Sequence, residues 1–509
     1  MSAAVVLTVS EPLPSHGPSA SRGSARRGVA WRTAVPYLLT SVLIGVPCFW
    51  QQHIQANDLS SHLYNAWLVN QVEAGQLKGL YVARQFTNVL FDRLMSFLLL
   101  KTGSVVATER IAVLAAVQIF FWGCFMLAST VARRRAWSVA PFLALLTYGA
   151  VFRMGFFNFY ISVGLCTLAI ALAWRNRRRR LLAIPVLGMA YTAHMLPVIW
   201  ALGAIAYVIV ARRLGPPRRP WLCAVGLASV AAVALFLAKF VPSRWPPSPF
   251  IGSLFGVDQV LTFGMKYQFV AAGLLGLWIL LLIRRLIMRA ALRDSAFQLW
   301  VLSAAGCVLM PMSISVPFYR AGMTYITIHV SLLSAVVLCS VIARVRFNRL
   351  EKLISFALLA LYLSFAFVDE RALNSAEQEI GIAIATLPSG SHVLATLKDS
   401  RLYVPALEHM VDRECIGRCF DFANYEPAAA QFRLRAAPSN TYVMTDIGDI
   451  SRLEHNEYFW NRQDIKVMRL SSCGDNRHVC VTEIRQGESL LKTQLDSVPQ
   501  WWTTGSSVH

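Results

Sequence analysis

The chain has few charged residues for its size. Charged residues make up 15% of its 509 residues, whereas soluble globular proteins carry about 25%. Acidic residues are the scarcer kind, with 27 Asp and Glu against 48 Lys and Arg. This shortage and the mean hydropathy of +0.50 exclude a surface that faces only water. The Arg residues stand in short blocks between long apolar runs, a pattern that indicates membrane orientation and excludes nucleic acid as a partner.

The chain also lacks the familiar motifs of nucleotide and protease chemistry. No Walker A loop, dinucleotide-binding glycine pattern, zinc-protease helix or serine nucleophile elbow stands in a fitting context. An enzyme with this sequence must therefore take its energy from an activated substrate. Residues 1–33 contain no apolar stretch long enough for a signal peptide, so we predict a disordered cytoplasmic tail there.

About eleven apolar runs approach the roughly 20 residues that a membrane-spanning helix needs. They cover residues 34–51, 107–132, 137–151, 159–174, 181–193, 196–211, 221–241, 267–284, 296–311, 323–343 and 353–368. Read as one helix, 181–211 would be over-long and would put its flanking Arg blocks on opposite sides. We interpret it as two short helices broken near Thr192, His194 and Pro197, because this keeps both blocks on one side. The positive-inside rule then places the N-terminus in the cytoplasm and residues after about 370 outside, as expected for a bacterial inner (plasma) membrane protein.

The region after residue 370 has the composition of an ordinary soluble protein. We predict an extracytoplasmic α/β or α+β domain over 370–495, followed by a flexible tail, 496–509. Within that domain, the strand-like runs are 392–397, 442–447 and 478–484. The predicted fold class is therefore a polytopic α-helical membrane protein with an exported C-terminal domain.

Four of the ten cysteines fall in this C-terminal region. An even number in an exported domain predicts two disulfides, Cys415–Cys419 and Cys473–Cys480. The alternative is a zinc site built from all four thiolates, although their spacings are poor for zinc.

The segment 52–106, predicted to be a long outer loop with amphipathic helices lying on the membrane, carries the first candidate site residues. Asp58, His62 and Asn65 share one helical face, at i, i+4 and i+7, which we expect to look into an outer cavity. We predict a catalytic role for His62 and a substrate-binding role for Asn65. Asp58 is a candidate general base, or a ligand for a divalent cation such as Mg²⁺ or Mn²⁺, unless it only caps the helix. Asp92 stands in an apolar stretch, either as a second active-site carboxylate or as the ion-pair partner of a neighbouring arginine.

Three further turns that we place outside each present one strong polar residue, Arg153, His194 or Arg320. An anionic ligand such as a lipid phosphate would explain these arginines through charge-assisted hydrogen bonds. An ordinary headgroup contact is the alternative for both arginines. We predict that His194 is a substrate-binding or catalytic residue; the alternative is that it only satisfies a helix break.

This arrangement resembles the GT-C superfamily of membrane glycosyltransferases, which use polyprenyl-phosphate-linked sugars. The similar features are the short tail, the first span, the long first outer loop with Asp58 just after that span, about eleven spans and the exported domain. The resemblance implies that Asp58 is the catalytic acidic residue and Asp92 a second one. It also implies that Arg153 and Arg320 contact the lipid phosphate.

We therefore expect a sugar transfer from a polyprenyl-phosphate donor to an exported glycan, lipid or protein acceptor. The expected partners are the lipid-linked sugar, membrane lipids and that acceptor. Two alternatives stay open at this point, a transporter or flippase for lipid-linked glycans and a non-catalytic assembly protein that keeps only the fold.

Overall fold

The computed structural model describes residues 22–175, 180–246, 251–287, 291–315 and 322–496. The chain divides into two compact units at Val46 and Pro47. The first unit contains helix α1, Arg22–Gly45, which includes Pro36. Because α1 begins at Arg22, the predicted disordered tail 1–33 is helical over its last part.

The second unit holds seventeen further α-helices within the described residues. In chain order they are α2 Asp58–Glu73, α3 Leu90–Thr102, α4 Val105–Ala132, α5 Ala140–Thr147, α6 Ala150–Arg153, α7 Phe157–Arg175, α8 Arg180–Ala193, α9 Met195–Arg213, α10 Arg219–Phe240, α11 Gly252–Phe255, α12 Tyr267–Ile287, α13 Ser295–Leu309, α14 Ile326–Ile342, α15 Arg349–Ala385, α16 Met410–Cys415, α17 Glu426–Ala429 and α18 Ile447–Glu454. These helices carry most of the buried apolar residues.

Six of these helices, α4, α7, α9, α10, α12 and α15, are long and apolar enough to cross a membrane. The other five predicted spans correspond to shorter apolar segments. These are Ala34–Cys48, Trp137–Arg153, Arg180–Ala193, Ser295–Leu309 and Ile326–Ile342. The helices are thus compatible with an integral membrane protein, while the count of about eleven crossings stays a prediction.

The predicted break in 181–211 is confirmed, since α8 ends at Ala193 and α9 begins at Met195. His194 is the N-cap of α9, and its Nδ1 accepts a hydrogen bond from the backbone N–H of Leu196 at 3.1 Å. That bond satisfies one of the N–H groups that a helix start leaves free. His194 therefore has the helix-break role that was one of its two interpretations.

Helices α4 and α7 pack closely where Gly123 faces Gly164. A Cβ added at Gly123 would collide with the Gly164 carbonyl oxygen, so no larger residue fits here without a shift. Small residues at such crossings allow two backbones to approach, as is common between membrane helices.

The strands lie mainly in the C-terminal region, which is α+β in character. They are β1 Leu80–Val82, β2 Ser243–Arg244, β3 Ser313–Ile314, β4 Ser391–Ala395, β5 Leu397–Lys398, β6 Cys419–Asp421, β7 Leu434–Ala436, β8 Tyr458–Phe459, β9 Val467–Ser472, β10 Val479–Glu483, β11 Ser489–Leu490 and β12 Thr493–Gln494. The central sheet has the order β10-β9-β4-β6, with β4 parallel to β6 and β9, and with β9 antiparallel to β10.

Two predictions about this region need correction. The run 442–447 is not a strand. Asp446 is the N-cap of α18, and its side chain accepts hydrogen bonds from the backbone N–H groups of Gly448 and Asp449, so the end of this run begins a helix. Helix α15 continues through residue 370 to Ala385, so no break in secondary structure marks the predicted domain boundary. Of the predicted tail 496–509, only Asp496 lies among the described residues.

Both predicted disulfides, Cys415–Cys419 and Cys473–Cys480, are present. The first joins the end of α16 to the start of β6, and the second closes the β9–β10 hairpin. Since all four sulfurs are bonded in pairs, a zinc site built from their thiolates is excluded.

Candidate functional site

A cavity of about 780 Å³ lies between the 52–106 segment, the ends of several apolar helices and the C-terminal region. Three predicted site residues, Asp58, His62 and His194, line it together. Among the described residues, the other ionisable side chains in its wall are Arg244, Tyr325, His329, Glu408, His409, Tyr425, Glu454 and His455. A volume in this range suits a small-molecule site.

The sequence predicted that α2 is an amphipathic helix lying on the membrane, but in the structure α2 is packed within the protein. Ten of its sixteen residues are buried. It packs against α3, α16, β1 and β7, so protein covers it on several sides. The C-terminal region, which sequence patterns could not place, supplies two of these four neighbours, α16 and β7.

The position of Asp58 is set by the turn between α6 and α7. Its backbone N–H donates to the carbonyl oxygen of Met154 at 3.2 Å. Gly155 has φ +81° and lies against Asp58, where an added Cβ would stand 2.6 Å from the Asp58 nitrogen. Asn57, not Asp58, occupies the N-cap position. The Asp58 carboxylate is therefore held against the cavity and is not used as the helix cap.

Asp58 lies beside a histidine from the C-terminal region. Its Oδ1 is 3.6 Å from His409 Nε2, and His409 Nδ1 is 3.5 Å from Asp412 Oδ2. Burial raises the pKa of Asp58 to about 6, against the opposing charges of His409 and His62. Burial acts against a charged His409, but the neighbouring Asp412, Asp58 and Glu408 raise its pKa to about 10. At neutral pH the pair is a carboxylate next to an imidazolium.

His62 belongs to a second group, one turn further along α2. Its Nδ1 lies 2.7 Å from Asp92 Oδ1 and 3.9 Å from Glu426 Oε1. The other oxygen of Asp92 accepts a hydrogen bond from Asn158 Nδ2 at 2.7 Å. Burial disfavours the charged form of His62, but the neighbouring Asp92 raises the pKa of His62 to about 9. Asp92 is thus the partner of His62, not the ion-pair partner of a neighbouring arginine that the sequence left open.

Asn65 does not line the cavity, although it shares a helical face with Asp58. It is buried, its Oδ1 accepts from Asn424 Nδ2 at 2.8 Å, and its own Nδ2 donates to the Ser61 carbonyl at 3.0 Å. The predicted substrate-binding role is thus replaced by a contact that ties α2 to the C-terminal region.

The two predicted phosphate-binding arginines have different outcomes. Arg153 is 1% exposed and is paired with Glu370 at 2.6 Å, so its charge is already neutralised away from the cavity wall. Arg320 lies outside the described residues. Among those described, the arginine that lines the cavity is Arg244, which sequence reasoning missed.

The residues that sequence reasoning missed come mostly from the C-terminal region, including Glu408, His409 and Glu426. They are more than 300 positions from α2 along the chain, and only tertiary folding brings them near it. One local signal was the His409–Asp412 spacing of three residues just before a predicted disulfide.

The predicted divalent cation was assigned to Asp58. Among the described residues, the His, Cys, Asp and Glu side chains with ligand atoms within 4.8 Å of one another are His62, Asp92 and Glu426. Asp58 is not in this group. Residues suited to a cation are therefore present, but one turn away from the predicted position.

Comparisons with protein-family models, with curated proteins and with solved structures find no match for this chain.

Proposed function

We propose that this protein is a membrane glycosyltransferase of the GT-C type, which moves a sugar from a polyprenyl-phosphate donor to an exported acceptor. The observation that carries the proposal is the placement of Asp58. Its carboxylate stands in the wall of the cavity, next to His409, with a pKa of about 6. A general base works best when its pKa lies near the working pH.

In this proposal Asp58 accepts the proton of the acceptor hydroxyl. The hydroxyl oxygen forms a bond to the anomeric carbon, and the bond from that carbon to the phosphate oxygen breaks. The polyprenyl phosphate leaves with the electron pair of that bond. His409 is a positioning residue, because its positive charge holds the Asp58 carboxylate in the ionised form.

The developing negative charge on the phosphate needs a cation within the cavity. Arg244, at the end of the short β2 strand, is the described arginine in that wall. It takes the part that the sequence assigned to Arg153. Ser313 and Ser315 also line the cavity and offer hydroxyl donors to the same phosphate.

The open cavity also bears on the alternatives to an enzyme. A protein that kept only the fold would have no need for an open space of about 780 Å³ lined by a carboxylate and several histidines. Titratable residues with shifted pKa values in a cavity are typical of catalytic sites. This combination favours an enzyme over an assembly protein.

The test is turnover by the purified full chain, in lipid nanodiscs, with radiolabelled polyprenyl-phosphate sugars and a panel of acceptors. We expect Asp58→Asn to reduce turnover by about 10²- to 10⁴-fold, as loss of a general base does. The matched control is Asp464→Asn, since the Asp464 side chain is 63% exposed and does not line the cavity.

Wild-type turnover in the Asp58→Asn variant would reject Asp58 as the base. Absence of any transfer by the wild-type protein, across all donors tested, would reject the function itself. The Asp464→Asn control shows whether a loss is specific to the cavity.

A further inference from the structure

Next to His62, which lines the cavity, the carboxylates of Asp92 and Glu426 lie in one small group. His62 is 5% exposed and Glu426 2%. Asp92, the third member, has a side chain that is 13% exposed. Two carboxyl groups this close to one another repel when both are ionised, and burial strengthens that repulsion. With both carboxyls ionised, the group would carry one more negative charge than its one imidazolium can balance.

Glu426 supplies the strongest sign that a ligand belongs here. Its Oε1 is buried and has no hydrogen-bond partner among the described residues. His62 Nδ1, at 3.9 Å, is beyond hydrogen-bonding distance. A buried carboxylate oxygen without a partner is costly, and such oxygens are normally paired or bound to a cation.

The neighbouring contacts orient the group as they would around a bound ion. Asn158 Nδ2 donates to Asp92 Oδ2, and the backbone N–H of Phe91 donates to Asn158 Oδ1 at 2.8 Å. These bonds fix which oxygen of Asp92 faces His62. Supporting hydrogen bonds of this kind are a regular feature of metal sites, where they hold the ligands in place.

Outside the group, Arg433 is a cation of the described chain that acts on both acids, but its own contacts are with other residues. Arg433 lies close enough to influence Asp92, but its Nη2 is paired with Glu73 at 3.6 Å and its Nη1 donates to Ser96 Oγ at 3.4 Å. A cation bound among the three side chains would supply the positive charge that two ionised carboxylates need.

We propose that His62, Asp92 and Glu426 form a binding site for a divalent first-row transition-metal ion, such as Zn²⁺ or Mn²⁺. One imidazole nitrogen and two carboxylates form a donor set that such ions accept. Mg²⁺ and Ca²⁺ prefer ligands that are all oxygen, so the imidazole argues against them. Because His62 lines the cavity, an ion here is reachable from it. This site does not depend on the proposed sugar transfer.

The test is calorimetric titration of Zn²⁺ and of Mn²⁺ into the full chain, purified without an affinity tag and treated with chelator. We expect about one equivalent of at least one ion to bind. Glu426→Gln should weaken binding by about ten- to a hundredfold or more. The control is Glu454→Gln, another carboxylate of the same cavity that is outside the group and should leave binding unchanged.

Glu426→Gln is the decisive variant, since the Glu426 oxygen Oε1 has no protein hydrogen bond to lose. Asp92→Asn is informative only where its thermal unfolding matches the wild type, because Asp92 also bonds Asn158. Absence of stoichiometric binding, or binding that Glu426→Gln leaves unchanged, would overturn the site. A failed titration with an intact effect of Asp58→Asn on turnover would reject the metal site alone.

Discussion

Two groups of buried charges lie close together in this protein, and they are built in opposite ways. The first, which we call the arginine group, consists of Glu109, Arg153, Glu370, Glu377 and Arg413. The second, the histidine group, consists of Asp58, His62, Asp92, His409 and Glu426. Both groups combine residues from distant parts of the chain, but only the histidine group has members that line the cavity.

In the arginine group, the cations are guanidinium groups. Arg413 contacts Glu109 and Glu377, both at 2.9 Å, and Arg153 contacts Glu370 at 2.6 Å. Arginine stays charged at any physiological pH and matches a carboxylate with several donors. The cations of this group therefore keep their charge at any physiological pH, and the contacts of the group join α4, α6, α15 and α16.

In the histidine group the cations are imidazoles, whose charge depends on pH and surroundings. The pKa values of Asp58 and His409 are raised, to about 6 and about 10. The comparison indicates that buried charge alone does not identify a functional site. Titratable groups next to an open cavity are the better indication of such a site.

The largest effect that we expect from this comparison is a loss of stability when the arginine group is broken. Arg413→Met leaves two buried glutamates without their cation, which should lower the free energy of unfolding by about 3–5 kcal/mol. Thermal unfolding in detergent measures the effect. Arg452→Met is the control, since that side chain is 55% exposed and its ion pair is worth little. Equal stability of the two variants would contradict the structural role of the arginine group.

The next prediction concerns His409. His409→Gln should reduce turnover by about 10²-fold, because it removes the positive charge beside Asp58. The pKa that governs the acid side of the pH–rate profile should rise above 6 at the same time, since an imidazolium no longer favours the ionised carboxylate. A purely structural His409 would lower turnover without moving that pKa.

A smaller effect is expected from the disulfide that holds α16. Replacing Cys415 and Cys419 together by Ser should cost about 2 kcal/mol of stability, since the closed loop is short. Chemical unfolding of the double variant measures the loss. Because this bridge lies just after His409 and Asp412, turnover should fall too, whereas the same change at Cys473 and Cys480 should affect stability only.

The last prediction concerns how the activity of the wild-type protein depends on pH. The base must be ionised, and the pKa of Asp58 is about 6. Activity at subsaturating substrate should therefore be level near pH 7 and fall about tenfold per pH unit below 6, as Asp58 becomes protonated. His409 stays protonated until about pH 10, so it adds no change in this window. A profile level down to pH 4 would show that Asp58 is not the proton acceptor.

The sequence determined the apolar helices, the break at His194 and both disulfide pairs, because each depends on residues close in the chain. Hydropathy over about 20 residues and cysteine spacing of four to seven are local properties. The sequence also singled out Asp58, His62 and Asp92, the first two by their spacing along one helix and Asp92 by its apolar surroundings.

Only the tertiary structure decided the partners of those residues. Asp58 and His409 are 351 positions apart, and nothing in either local pattern indicates the other. The same holds for Arg153, which looked available for an anionic ligand until α15 placed Glu370 beside it. A sequence shows which groups are costly to bury, but the packing of distant elements determines whether each one finds a partner or faces the cavity.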